Sequence, residues 1–420
     1  MIAINKNTGS RVRLTFFNQR VVALTIVLFA IFVGAVPAAQ AQTFTVLYEF
    51  TPGGNGYWPA AGVVLDSEGN VYGVTQYGGS FDYGTVFKLD PAGKHTVLHS
   101  FLGSDGLYPA GALLRDAQGN LYGTTSNGGT AEGGECLHGC GTVFKIDAAG
   151  KQTVLYPFAG STDGGLPYSR LLYFSGDIYG TTAENGDPSC YVNIGCGVVF
   201  QLSQSGQESV LHSFTDKTDG KSPAGLVADG TGNFYGTTYD GGSNQDGAIF
   251  KVDTSGEFTV LYSFTGGADS GDPAGGLVRD REGNLYGTTY GVGIRLGGCG
   301  IVYKLDTAGN FTVLYTFTCG TDGQYPGGMV MDAKGNLYGT AEGGGTGTGC
   351  YYGGCGTIFE IDTENNFSVL HNFMKTDGEL PIGLTIDSAG NLYGATLGGG
   401  FPGSVCHYYG GCGTVFKFTP

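Results

Sequence analysis

EFTVLYSFTGGADSGDPAGGLVRDREGNLYGTTYGVGIRLGGCGIVYKL, residues 257–305, is one copy of a sentence that the chain writes seven times. Its GNLYG element recurs around Tyr72, Tyr122, Tyr179, Tyr235, Tyr286, Tyr338 and Tyr393, at spacings of 50, 57, 56, 51, 52 and 55 residues. A fixed period of this length belongs to an array of equivalent structural units. Within the unit, four short runs have strand character: Phe258 to Phe264, Gly275 to Val278, Leu285 to Thr289 and Ile301 to Leu305. Gly, Pro, Asp and Asn bound each run, and no window of helical period competes. Seven four-stranded antiparallel units predict an all-β, seven-bladed β-propeller, with an open solenoid as the competitor.

Phase separates the two. The AGLV run is small enough for a crowded axis and is read as strand a, followed outward by NLYGT (b), GTVFK (c) and the aromatic TVLYSF (d). The chain then begins with an unaccompanied strand d, Thr43 to Phe50, and ends with a, b and c, through Gly413 to Phe418. Pairing the two ends closes the ring and removes the exposed edges of an open array. The same phase gathers the b-to-c and d-to-a loops on one face. The other face carries only tight turns, such as Asp280-Arg281-Glu282-Gly283-Asn284. Long, aromatic and cysteine-bearing loops share the first face, where a rigid scaffold would display binding residues.

The 80 glycines among 420 residues sit at repeat positions and so mark turns. Residues 1–41 lie outside the repeat. Lys6, Arg11, Arg13 and Arg20 precede an apolar run from Val21 to Val36, and Pro37-Ala38-Ala39-Gln40-Ala41 follows. This is the pattern of a signal peptide cleaved after Ala41; the alternative is an uncleaved membrane anchor. The propeller domain is then 42–420, with 16 basic against 36 acidic residues and a net charge of −20. That field repels nucleic acid and anionic membrane surfaces.

Ten cysteines in an exported chain predict disulfides: Cys136 with Cys140, Cys190 with Cys196, Cys350 with Cys355 and Cys406 with Cys412. Counting outward along the c-to-d hairpin places Cys299 beside Cys319 as the fifth. Only His138 and His407 fall inside these brackets, too few for zinc.

The GNLYGTT, GTVFKLD and TVLYSF elements resemble the GloVer-type tandem repeat of exported bacterial proteins, whose members are described as "choice-of-anchor" because they end in different surface anchors. The resemblance spans residues 43–417. It implies export and a repeat fold, and carries no established activity or functional residues. The chain departs from the anchored pattern, since Phe418-Thr419-Pro420 leaves no room for a C-terminal anchor.

Candidate chemistry is sparse. Asp105, Asp163, Asp219, Asp322 and Asp377 each precede a glycine in a d-to-a loop, and Asp269 to Pro273 is a variant. They are either turn residues or an acidic crown at the channel mouth that takes Ca²⁺ through oxygen ligands. The aspartates of the DxxGN turns and the seven GNLYG tyrosines are structural by their regularity. One residue breaks a column: strand a carries Gly62, Ala112, Gly225, Gly276, Gly328 and Gly383, but Arg170 in the third repeat. Its guanidinium would face the axis and hold a carboxylate or sugar, or pair with Asp163. On the long-loop face Tyr57, Trp58, Tyr108 and Tyr325 offer flat amphipathic surface, or pack inside their own loops. Tyr77, Phe81, Tyr83, Tyr191, Tyr351, Tyr352, Tyr408 and Tyr409 fall on the same face.

His99, His212 and His371 alternate with Tyr at one strand d position and are read as packing residues; no nucleophile elbow or triad is present. The expectation is a secreted, periplasmic or cell-surface monomer, without a cofactor other than a candidate Ca²⁺. It would bind a glycan, a surface polymer or a protein partner. An extracellular carbohydrate-active hydrolase or lyase and an adhesive repeat protein are the alternatives.

Overall fold

The computed structural model describes residues 42–420 apart from 130–135, 137, 191–194, 292–297, 402–405, 407 and 408. The expected signal peptide, Tyr191, His407 and Tyr408 lie outside the described residues. Seven antiparallel sheets follow one another, and no α-helix occurs among the described residues. Blade 5 shows the plan: Pro273–Arg279, Leu285–Thr289, Ile301–Leu305 and Phe311–Thr316 pair in that order from inner to outer strand. Blade 1 starts at Tyr57, and blade 7 takes its three inner strands from Glu379–Ile386, Leu392–Gly398 and Thr414–Thr419. Its outer strand is Thr43–Glu49, which pairs antiparallel with Thr414–Thr419. The chain is a closed seven-bladed propeller.

Strand a is the irregular one. In blades 1, 2 and 4 it is two short pieces, and in blade 3 only Leu172–Phe174 remains. Its glycines explain why, because the inner strands crowd one another at the axis. A side chain on Gly62 would meet the backbone of Gly383, and one on Gly275 the backbone of Gly328.

Blades join through one repeated aromatic contact. The last Phe of each strand d meets the strand c ring of the next blade edge-to-face at 5.1–5.3 Å: Phe50 with Phe87, Phe101 with Phe144, Phe158 with Phe200, Phe214 with Phe250, Phe264 with Tyr303, Phe317 with Phe359 and Phe373 with Phe416. All are at most 3 % exposed. The glycine of GNLYG makes room for this ring, since a Cβ at Gly236 would strike Phe250.

A second joint is a backbone hydrogen bond. The residue before each strand a proline donates its N–H to a carbonyl at the end of the preceding blade's b-to-c loop, at 2.9–3.2 Å. Five of the seven acceptors are disulfide-bonded cysteines: Cys412, Cys140, Cys196, Cys299 and Cys355. All five expected disulfides form, with Cα separations of 5.0–5.8 Å.

Candidate functional site: the long-loop mouth

The seven residues that precede the strand a prolines are Trp58, Tyr108, Leu166, Ser222, Asp272, Tyr325 and Leu380. Every one has a left-handed backbone, with φ between 52° and 58°. That conformation is disfavoured for a residue with a Cβ, and the inter-blade hydrogen bonds hold it. One residue per blade is thereby held in the same backbone setting, Leu380 and Asp272 with their side chains buried, and three of the expected binding aromatics belong to this set.

These aromatics do not stand alone. Trp58 touches Tyr77 at 5.2 Å and Tyr409 at 4.9 Å, and its indole N–H donates to the Gly411 carbonyl. From Tyr77 the run continues to Tyr108 at 5.0 Å and on to Tyr83 at 6.5 Å. In the other direction Tyr409 meets Tyr351 at 6.0 Å, and Tyr351 meets Tyr352 at 4.9 Å. Tyr352 then meets Tyr325 at 5.2 Å, followed by Tyr290 at 6.1 Å and Tyr239 at 6.3 Å. Ten rings thus pass through blades 4, 5, 6, 7, 1 and 2 in one arc. Tyr57 lies beneath it, 6 % exposed, with its hydroxyl donated to Asp82 at 3.2 Å. It supports Trp58 and Tyr77 rather than presenting surface.

Three residues of this region carry no mark in the aromatic clusters of the loops. Tyr239, Tyr290 and Glu342 share one position at the end of strand b, where the other blades have Gln76, Ser126, Ala183 and Leu397. The Tyr290 hydroxyl donates to Glu342 Oε1 across the blade 5–6 boundary at 2.5 Å. Burial pushes the Glu342 carboxyl above its ordinary range, the Tyr290 hydrogen bond opposing it, and burial with the nearby carboxylate drives the Tyr290 phenol well up. The signal in the sequence is the residue directly after the GTT-type triplet, which reads Gln, Ser, Ala, Tyr, Tyr, Glu and Leu around the ring.

Blade 3 contributes no ring to the arc, and Arg170 belongs to the strand a segment of that blade. Its side chain is open to water, yet protein crowds it enough that desolvation lowers its pKa. Among the described residues it makes no ion pair or hydrogen bond. The expected alternative partner, Asp163, is engaged elsewhere: it accepts from the Tyr156 hydroxyl and the Ala159 and Ser161 amides. Beside Arg170, Tyr168 is 50 % exposed.

The aspartates of the d-to-a loops do not form a crown at the mouth. Each binds the Tyr or His of its own outer strand: Asp105 to His99, Asp219 to His212, Asp269 to Tyr262, Asp322 to Tyr315 and Asp377 to His371. Each of these five also accepts a backbone N–H at the end of strand d. At Asp322, desolvation pushes the carboxyl up, but hydrogen bonds from Thr318 and Tyr315 outweigh it and hold the group low. The aspartates are turn caps at the rim. Among the described residues no three His, Cys, Asp or Glu side chains converge as a cation site, so nothing here supports the candidate Ca²⁺.

The Gloeobacter/Verrucomicrobia repeat model matches residues 33–194 and 192–405. No curated protein sequence matches the chain. Among solved structures it is similar to virginiamycin B lyase from Staphylococcus aureus, with a TM-score of 0.61 at 15 % identity, over 90 % of this chain and 99 % of that one. It is also similar to the extracellular domain of a protein described as a hybrid two-component system of B. thetaiotaomicron. There the TM-score is 0.55 at 14 % identity, over 90 % of this chain and 41 % of that one. At these identities the likeness is one of fold.

Proposed function

The chain belongs to the family of the Gloeobacter/Verrucomicrobia repeat, and from that premise we propose that it is an exported binding module whose long-loop mouth takes a glycan or cell-surface polymer. Its disulfides favour an oxidising compartment, in keeping with a secreted, periplasmic or surface location. The observation that carries the reading is the aromatic arc, and blade 3, which adds no ring to it, supplies Arg170, a guanidinium with no partner among the described residues. Tyr and Trp faces stack on sugar rings, and a guanidinium forks onto a carboxylate or paired hydroxyls. An adhesive repeat protein would need equivalent blades, whereas the mouth position reads Trp, Tyr, Leu, Ser, Asp, Tyr, Leu.

A glycan array probed with residues 42–420 tests this. Binding is expected, with Trp58→Ala and Arg170→Gly each removing it, and with Arg170→Gly leaving the melting temperature nearly unchanged. Binding that survives both substitutions overturns the reading, as does a large loss of stability in Arg170→Gly. A second reading, an extracellular carbohydrate-active hydrolase or lyase, is favoured by the raised Glu342 carboxyl against Tyr290. Mass spectrometry of the bound glycan for shortened products separates the two.

A further inference from the structure

The third repeat also departs from the others on the opposite, tight-turn face. Six blades join strands a and b through an Asp-x-x-Gly-Asn turn, capped by its aspartate as at Asp116. Blade 3 turns instead on Ser175 and Gly176, between Leu172–Phe174 and Asp177–Thr181. A cleft of about 410 Å³ opens between blades 2 and 3, with Leu155, Ile178 and Leu202 as its apolar floor and Tyr122 and Tyr173 in its walls.

Two of the other interfaces cover the equivalent tyrosine with an arginine. The residue before the turn aspartate is Arg115 in blade 2 and Arg279 in blade 5. There the guanidinium lies 5.8 Å from the centre of the preceding blade's Tyr72 or Tyr235 ring. In blade 3 that position is Tyr173, 48 % exposed. No arginine covers Tyr122, whose ring carries Lys145 of its own blade at 5.4 Å, as Tyr72 carries Lys88 at 5.7 Å. Around the rim, the Lys145 ammonium, the Tyr173 hydroxyl and the Gln118 and Gln204 side-chain amides make no hydrogen bond among the described residues. Asp116 is committed to its turn and to the Tyr122 hydroxyl. One ammonium and one carboxylate leave the cleft without net charge.

We propose that this cleft is a second ligand site, distinct from the mouth, for a single neutral pyranose ring. A pyranose presents an apolar C–H face and an edge of hydroxyls. Tyr173 offers an exposed aromatic face for the first, and the uncommitted amides, ammonium and phenol offer donors and acceptors for the second. The volume falls within the ~300–1,000 Å³ of small-ligand pockets. Free sugar and the end of a glycan chain share this chemistry.

Saturation-transfer NMR on residues 42–420 tests the site with glucose, galactose, mannose, N-acetylglucosamine, maltotriose and chitotriose. At least one probe binds. Tyr173→Ala weakens it about tenfold, the loss of one stacked ring, while Tyr173→Phe keeps it within about threefold. Trp58→Ala, on the other face, leaves it unchanged. A trisaccharide that binds where its monosaccharide does not identifies a chain end as the source. No transfer from any of the six probes overturns the proposal, as does unchanged affinity in Tyr173→Ala. If Trp58→Ala removes the signal and Tyr173→Ala does not, the cleft proposal falls and the mouth reading stands.

Discussion

At the residue scale the informative positions are those where one blade departs from its siblings. Tyr303 stands where the other six blades have Phe, fully buried, and its hydroxyl has no partner among the described residues. Burial drives that phenol's pKa far up. An unsatisfied buried hydroxyl costs ~1–3 kcal/mol, so Tyr303→Phe should stabilise the fold by about that amount, read by chemical denaturation, with mouth binding unaltered. Equal stability would show that the hydroxyl is satisfied. Arg170 was legible in the same way, as a charge in a column of Gly and Ala. Tyr290 and Glu342 were not, because their meaning lies in a contact between blades 52 residues apart, and a sequence read one repeat at a time does not display it.

At the element scale, strand d carries the rim. Its Tyr or His stacks on the first residue of the next blade's strand d, as His212 on Phe258 at 3.7 Å and Tyr315 on Phe367 at 3.7 Å. The histidines are therefore the packing residues their alternation with Tyr suggested, and they also hold the turn aspartates. In blade 3 the stacking position is Glu208. Burial, with the Asp163 charge adding to it, pushes its carboxyl from 4.5 to about 7. Glu379, 1 % exposed, is pushed by burial to about 7 against the pull of Lys375. A raised carboxyl binds its proton more tightly in the folded state. Its contribution is whole below about 4.5 and is lost as pH rises through about 7. His95, lowered by burial from 6.5 to about 4, has the opposite sign and loses its contribution as pH falls through that window. The double variant Glu208→Gln, Glu379→Gln should therefore lose less melting temperature than the parent between pH 5 and pH 8. Parallel curves would show that neither carboxyl is raised.

At the scale of the whole molecule, blade number, strand order, ring closure and all five disulfides were legible, because each follows from period and phase. The left-handed pre-proline residues were not, since φ is not written in a non-glycine side chain. Closure makes a prediction of its own. Deleting residues 42–50 removes the outer strand of blade 7 and the Phe50 ring that meets Phe87 at 5.2 Å. It would uncover core on blades 7 and 1 and leave an unpaired edge along Thr414–Thr419. Aggregation, or a marked fall in melting temperature, is expected from scanning calorimetry of the truncated chain. A soluble product that melts with the parent would count against the ring.

The pre-proline positions have one more consequence. Glycine alone would adopt their conformation freely, and the chain uses 80 glycines, yet none occupies any of the seven. Since backbone atoms make the joints between blades, the joint itself does not dictate the side chain there, and one repeated position carries Trp, Tyr, Leu, Ser, Asp, Tyr and Leu. The ring works like a seven-letter word set in a fixed frame, in which the same joint lies under every letter.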